Sequence, residues 1–208
     1  MTRSFRFFLF DMRWKLLTLV SVCLFLAIFY ELTGGGEYSR YGESAAALLM
    51  MALMVVFTTL GTGGAPSALS LGGRRTDIFW GIQGCALVYA LFTTLLMLAA
   101  NAISGALGWP ALGLNPAVLL FYPFACFGLS ILGALAGLLA SRLRWLAAVL
   151  LAFLVVLSLV LFLPLLIYSQ DRFDTWGILP WFIPLLLALV WLAGEVFLYR
   201  ELQRLCVR

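Results

Sequence analysis

Six long apolar runs, separated by glycine, proline or charge, set the limits on what this chain can become. They lie at residues 14–32, 44–60, 78–100, 117–140, 146–168 and 178–199. A helix needs about 20 residues to cross the hydrocarbon of a bilayer. Of 208 residues, 64% are hydrophobic and 11% charged, and the mean hydropathy is +1.10. One small core could not hide that much apolar surface from water. In lipid, the backbone of each run must satisfy its own hydrogen bonds, which a helix does. The expected fold class is therefore an all-α membrane protein: six transmembrane helices in a single domain over 1–208, preceded by a short interfacial N-terminal helix.

The breaks are specific. Gly34 to Glu37 follow the first run, Gly61 to Gly64 and Pro66 the second, and Trp109, Pro110, Asn115 and Pro116 the third. Ser141 to Arg144 form a tight link between the fourth and fifth, and Asp171 to Asp174 precede the sixth. The second run is the shortest, and its helix can extend into the glycines at 61–64. With the N-terminus inside, the inner segments carry Arg3, Arg6, Arg13, Lys15, Arg74, Arg75, Arg142, Arg144, Arg200, Arg204 and Arg208; of 13 basic residues only Arg40 and Arg172 remain outside. The positive-inside rule then places both termini in the cytoplasm. The setting expected is a membrane crossed many times. The first run has a basic leader, but its apolar core is long and no clean small-x-small site follows, so it reads as a retained span.

The leader itself mixes Arg3, Arg6 and Arg13 with aromatic residues. Their arc on a helix is narrow, which fits a helix lying in the interface; the plainer reading is an irregular basic leader that only sets orientation.

Several chemistries are missing. The chain contains no histidine, which removes the commonest general base and metal ligand. No phosphate-cradling glycine loop with lysine is present, so the chain cannot bind and hydrolyse ATP by itself. No catalytic, cofactor-binding or metal-binding residues are assigned, and the small net charge of +4 is no nucleic-acid signal. Cys23, Cys85, Cys126 and Cys206 lack paired spacing and read as small apolar residues that form no disulfide within the chain. Carboxylates at the midplane, which gradient-driven carriers need, are also lacking. Glu195 alone falls inside a run, one turn before Tyr199 and Arg200. It is either a carboxylate reaching for the inner interface or an inner gate or partner contact. The hydroxyls of Thr58, Thr59, Thr93, Thr94 and Ser130 and the amide of Gln83 suit bonds between helices better than an ion path. Gly133 and Gly137 form a small-xxx-small pair, equally suited to packing within the chain or to a dimer contact.

The polar stretch Pro66–Gly81 stands apart. Pro66 suits the first turn of a short helix carrying Leu69 and Leu71. Gly72 and Gly73 can end it with positive φ. Arg74 and Arg75 then face the cytoplasm. Thr76 is a reasonable N-cap for the next span, and Asp77 complements its dipole.

The row from Leu69 through Ser70, Leu71, Gly72, Gly73, Arg74, Arg75, Thr76 and Asp77 to Gly81 resembles the segment after span two in small bacterial type-2 ATP-binding-cassette (ABC) export permeases. The six-span layout, the amphipathic leader and the inner termini are similar too. The resemblance implies a permease subunit of an ABC exporter in a bacterial plasma (inner) membrane, paired with a second permease subunit as a homodimer or related heterodimer. Leu69, Leu71, Gly72, Gly73, Arg74, Arg75 and Asp77 would form the coupling helix that docks on a separate ABC ATPase. ATP and magnesium would sit on that ATPase, and this chain would hold no cofactor. Membrane lipid would be its other partner. The segment between runs five and six is short for that family, which leaves its outer re-entrant element open. Three alternatives remain: a non-transporting membrane anchor, assembly or regulatory subunit; a small substrate-capturing component or ion-independent carrier; and an intramembrane enzyme, against which the absence of histidine argues.

Overall fold

The computed structural model describes residues 4–15, 17, 21, 41–106, 116–142, 149 and 179–204. All regular structure among them is helical. Helix α1 covers 4–15. Helix α2 (Tyr41–Thr59) runs through a π-helical turn (Leu60–Gly64) into α3 (Ala65–Ser70). Helices α4 (Arg75–Ala106), α5 (Pro116–Arg142) and α6 (Leu179–Arg204) follow. Three segments are long and apolar enough to cross a membrane among the described residues: Leu49–Ser70, Arg75–Ala99 and Tyr122–Ala140. The expected spans 14–32 and 146–168 lie almost wholly outside the described residues. So do Cys23, Cys206 and the segment from Asp171 to Asp174.

The helix of the second run extends through Gly61–Gly64, as its short length allowed, and no break forms there. Gly64 and Ala65 keep right-handed helical dihedrals, and the Ala65 N–H donates to the Leu60 carbonyl, five residues back. The reason lies in Pro66. A proline ring collides with the carbonyl four residues earlier in a regular α-helix, and a wide π turn just before it relieves that collision. The Ser67 hydroxyl donates to the Gly63 carbonyl at 2.7 Å and the Thr62 hydroxyl to Thr59 at 3.1 Å.

Helix α5 is the centre of the bundle. Ile131, Ala134, Ala136 and Leu138 are all buried. It meets α2 backbone to backbone. A Cβ at Gly133 would overlap the Met54 carbonyl, one at Gly137 the Thr58 carbonyl, and one at Gly61 the Ala134 carbonyl. The glycine pair therefore serves packing within the chain. On its other side, a Cβ at Gly128 would enter the Trp191 indole, while one at Gly194 would stand 2.9 Å from the Leu132 side chain. These pairings also fix direction. Residue numbers rise together along α2 and α5, and along α5 and α6, so all three run parallel. Helix α4 runs the other way, with Phe57 of α2 against Tyr89 at 6.0 Å and Phe79 against Tyr199 of α6 at 5.3 Å.

Most of the hydroxyls bond within their own helix, but Thr93 of α4 also pairs with the Cys126 thiol of α5. Thr93 donates to Tyr89 and Ala90, Thr94 to Ala90, Ser130 to Cys126, Thr58 to Met54 and Thr59 to Val56, each within its own helix. A short hydroxyl side chain reaches the carbonyl of its preceding turn before any neighbour. Gln83 Nε2 and Trp191 Nε1 are buried without a hydrogen-bond partner.

Candidate functional site

The site is the reversal between α3 and α4. It begins as a helix end whose form is set by two glycines. Gly72 has φ +83, a conformation costly for residues with a Cβ. Its N–H donates to the Leu69 carbonyl at 3.0 Å, and the Gly73 N–H donates to Ala68 at 2.9 Å. This nested pair is the Schellman closure of a helix C-terminus. Gly73 is needed for a second reason: a Cβ there would stand 2.7 Å from the Ala68 carbonyl oxygen.

The chain then turns directly into α4. The Ile78 N–H donates to the Arg74 carbonyl at 3.0 Å, so Arg74 occupies the N-cap position and α4 starts at Arg75. Thr76 is therefore inside the first turn and not the cap. The glycine closure uses up the reversal two residues sooner than the expected Thr76 cap required. Asp77 lies in the first turn as expected, where its charge complements the helix dipole.

The expected docking residues divide by exposure. Leu71, Gly72, Arg74 and Arg75 are exposed, with Leu71 at 76%. Leu69 is half-buried and packs on the protein's own core. Gly73 and Asp77 are also half-buried. What protrudes is thus an apolar tip, Leu71, followed by two arginines on a rigid reversal.

Two neighbours buttress it. The Phe79–Tyr199 contact brings the last turns of α6, with Arg200, Glu201 and Arg204, to the same end of the bundle. Glu195 is half-buried one turn before Tyr199, within α6 and outside the reversal itself. On another side lies α1. Phe8 is fully buried, 3.7 Å from a Cβ built on Gly64 and 3.0 Å from one built on Gly81, and Phe5 fills the corresponding place at Gly84. Met12 is fully buried as well. Sequence reasoning found α1 but missed this seat; the spacing of Gly81 and Gly84, one turn apart, was the available signal. Cys85 and Cys126 are buried free thiols. Among the described residues no group of three or more potential ligands could hold a metal ion.

Comparison with known proteins finds no matching family model, curated protein or solved structure. The class the chain defines by itself is that of a helical membrane protein, with three helices among the described residues long and apolar enough to cross a bilayer.

Proposed function

We propose that this chain is the membrane-spanning permease subunit of an ABC-type exporter, energised by a separate ATPase that docks on the α3–α4 reversal. The observation that carries the reading is the reversal itself. It presents Leu71 and two arginines from a closure that is rigid on both sides. A rigid protrusion joined without a loop to two long helices can pass a push into both of them. The π turn between α2 and α3 lies where that push would meet the glycine contact with α5.

The six-span layout is part of the proposal, and the helix directions support it. Helices α5 and α6 run parallel, and the proposal gives the apolar run 146–168 the crossing between them. Likewise α1 sits beside Gly64 and Gly81 while α2 starts from the far end, and the proposal gives the apolar run 14–32 the crossing between them. In this layout the clustered arginines face the cytoplasm, and ATP and magnesium are held by the partner. A second permease subunit would complete the translocation path.

One observation favours a second reading, a docking or assembly subunit without a cargo path. The buried hydroxyls Thr93 and Ser130 both donate to carbonyls of their own helices, where they bind helix backbone and not a cargo. Co-purification with the ATPase and ATP-driven transport by the reconstituted pair separate the two. With Arg74→Glu and Arg75→Glu together, the exporter reading expects the complex to weaken and coupled transport to be lost. Unchanged complex and unchanged transport would remove the coupling role. A complex that forms but never transports would favour the second reading.

A further inference from the structure

Helix α1 has two faces, and only one is used inside the protein. Phe8 and Phe5 fill the notch at Gly64, Gly81 and Gly84, and Met12, one turn after Phe8, is buried on the same face. The opposite face carries Arg6, Phe10, Arg13 and Leu17 in one stripe at helical spacing, with Trp14 beside it. Phe10, Trp14 and Leu17 are 63%, 64% and 58% exposed. The Arg13 guanidinium lies over the Phe10 ring at 3.7 Å and near Trp14 at 5.5 Å. Lys15 is already answered by Asp11 at 2.9 Å, so the outward positive charge of the helix resides on Arg6 and Arg13.

We infer that this stripe is a seat for the anionic phospholipid headgroups of the leaflet at the α3–α4 end of the bundle. Its level agrees with that occupant. Gly81 and Gly84 are six and nine residues beyond Arg75, roughly 9 to 14 Å along α4. Just beyond them begins an exposed apolar face with Leu87, Leu91, Leu95 and Leu98, suited to acyl chains. The stripe therefore lies where headgroups meet hydrocarbon. There aromatic rings are well solvated, and guanidinium forks can hold phosphate oxygens through two parallel bonds. The Phe10 ring limits the freedom of Arg13, and the notch behind fixes the stripe's direction. The inference does not depend on the exporter reading, and its readout needs no ATPase.

The test titrates the full-length protein in detergent with phosphatidylglycerol or phosphatidylcholine, counting bound lipid by native mass spectrometry. The wild type should prefer phosphatidylglycerol. A basic residue near an anionic surface contributes roughly fivefold, so Arg6→Gln with Arg13→Gln should cut the preference about 25-fold. Phe10→Leu, which keeps the helix and most of its apolar area, should cut it about two- to fivefold by freeing Arg13. Arg74→Gln with Arg75→Gln should leave it unchanged. All variants should unfold at the wild-type temperature, since the altered side chains are exposed. A wild type without preference overturns the inference. So does a preference that survives in the Arg6 and Arg13 variant, or in the Phe10 variant should the former fail to fold. Loss through Arg74 and Arg75 instead would move the seat to the reversal and equally overturn it.

Discussion

Replacing Gly137 by alanine should destabilise this protein, although alanine is the better helix former. A Cβ there would overlap the Thr58 carbonyl and stand 2.9 Å from both the Gly61 Cα and the Thr62 nitrogen. Comfortable contact between carbon atoms is about 3.5–4.0 Å. Every neighbour is backbone, so no side chain can swing aside and α2 and α5 must part by about 0.6–1 Å. A gap of that width forfeits a quarter to a half of the dispersion energy along the seam, which includes Met54 against Gly133 and Gly61 against Ala134. Overpacking costs about 1–3 kcal/mol; with only backbone to move, the upper part of that range applies, about 2–3 kcal/mol, and the helix propensity gained returns about 1 kcal/mol. The net loss should be about 1–2 kcal/mol, or a fall of roughly 2–8 °C in the unfolding midpoint at this chain length. Gly63→Ala is the matched control, because nothing lies within 4 Å of its Cβ. It should be neutral or stabilise by up to about 1 kcal/mol. Thermal unfolding in detergent, followed by tryptophan fluorescence, measures both. If Gly137→Ala melts at or above the wild-type temperature, the backbone contact between α2 and α5 is refuted.

Other outcomes follow from the same contacts. Gly72→Ala should cost about 1 kcal/mol through the positive φ alone, since its Cβ position is open, and Gly72→Asn should cost less; chemical denaturation in mixed micelles resolves the order. Phe8→Ala should cost about 3–5 kcal/mol if the seat holds as a core, and it should expose Cys85, whose Sγ lies 3.9 Å from the Phe5 carbonyl. Maleimide labelling of Cys85 should then quicken while Cys126 stays protected; equal, slow labelling of both would mean that α1 does not cover this face.

How much of this was legible beforehand varies by residue. Apolar length gave the helices, since a run such as 117–140 in lipid has no other way to satisfy its backbone. Gly72, Asp77 and the exposed arginines followed from local chemistry: a glycine that can take positive φ, an acid in a first turn, and charges kept out of hydrocarbon. Extension of the helix into Gly61–Gly64 could be read from the shortness of the second run, but its π turn could not. Glycine and proline punctuate most sequences, and only tertiary contact reveals that Gly61 is small to let α5 approach. Gly133 and Gly137 could be read as a close-packing pair, but their partner could not, because α2 is distant in sequence. The role of Leu69 was blurred for a similar reason. It is one turn's fraction from Leu71, yet the helix points it at the core and leaves Leu71 at the tip. Thr76 was a sound cap by type, displaced because the glycine closure starts α4 at Arg75.

The central claim is that the Leu71 tip meets a soluble ATP-binding partner. Placing a photo-crosslinking amino acid at position 71, and separately at Phe124, which is 62% exposed on α5, tests it in native membranes. The account predicts that position 71 captures a nucleotide-binding protein and that position 124 does not. Capture of lipid alone from position 71, or the same protein from both positions, would contradict it.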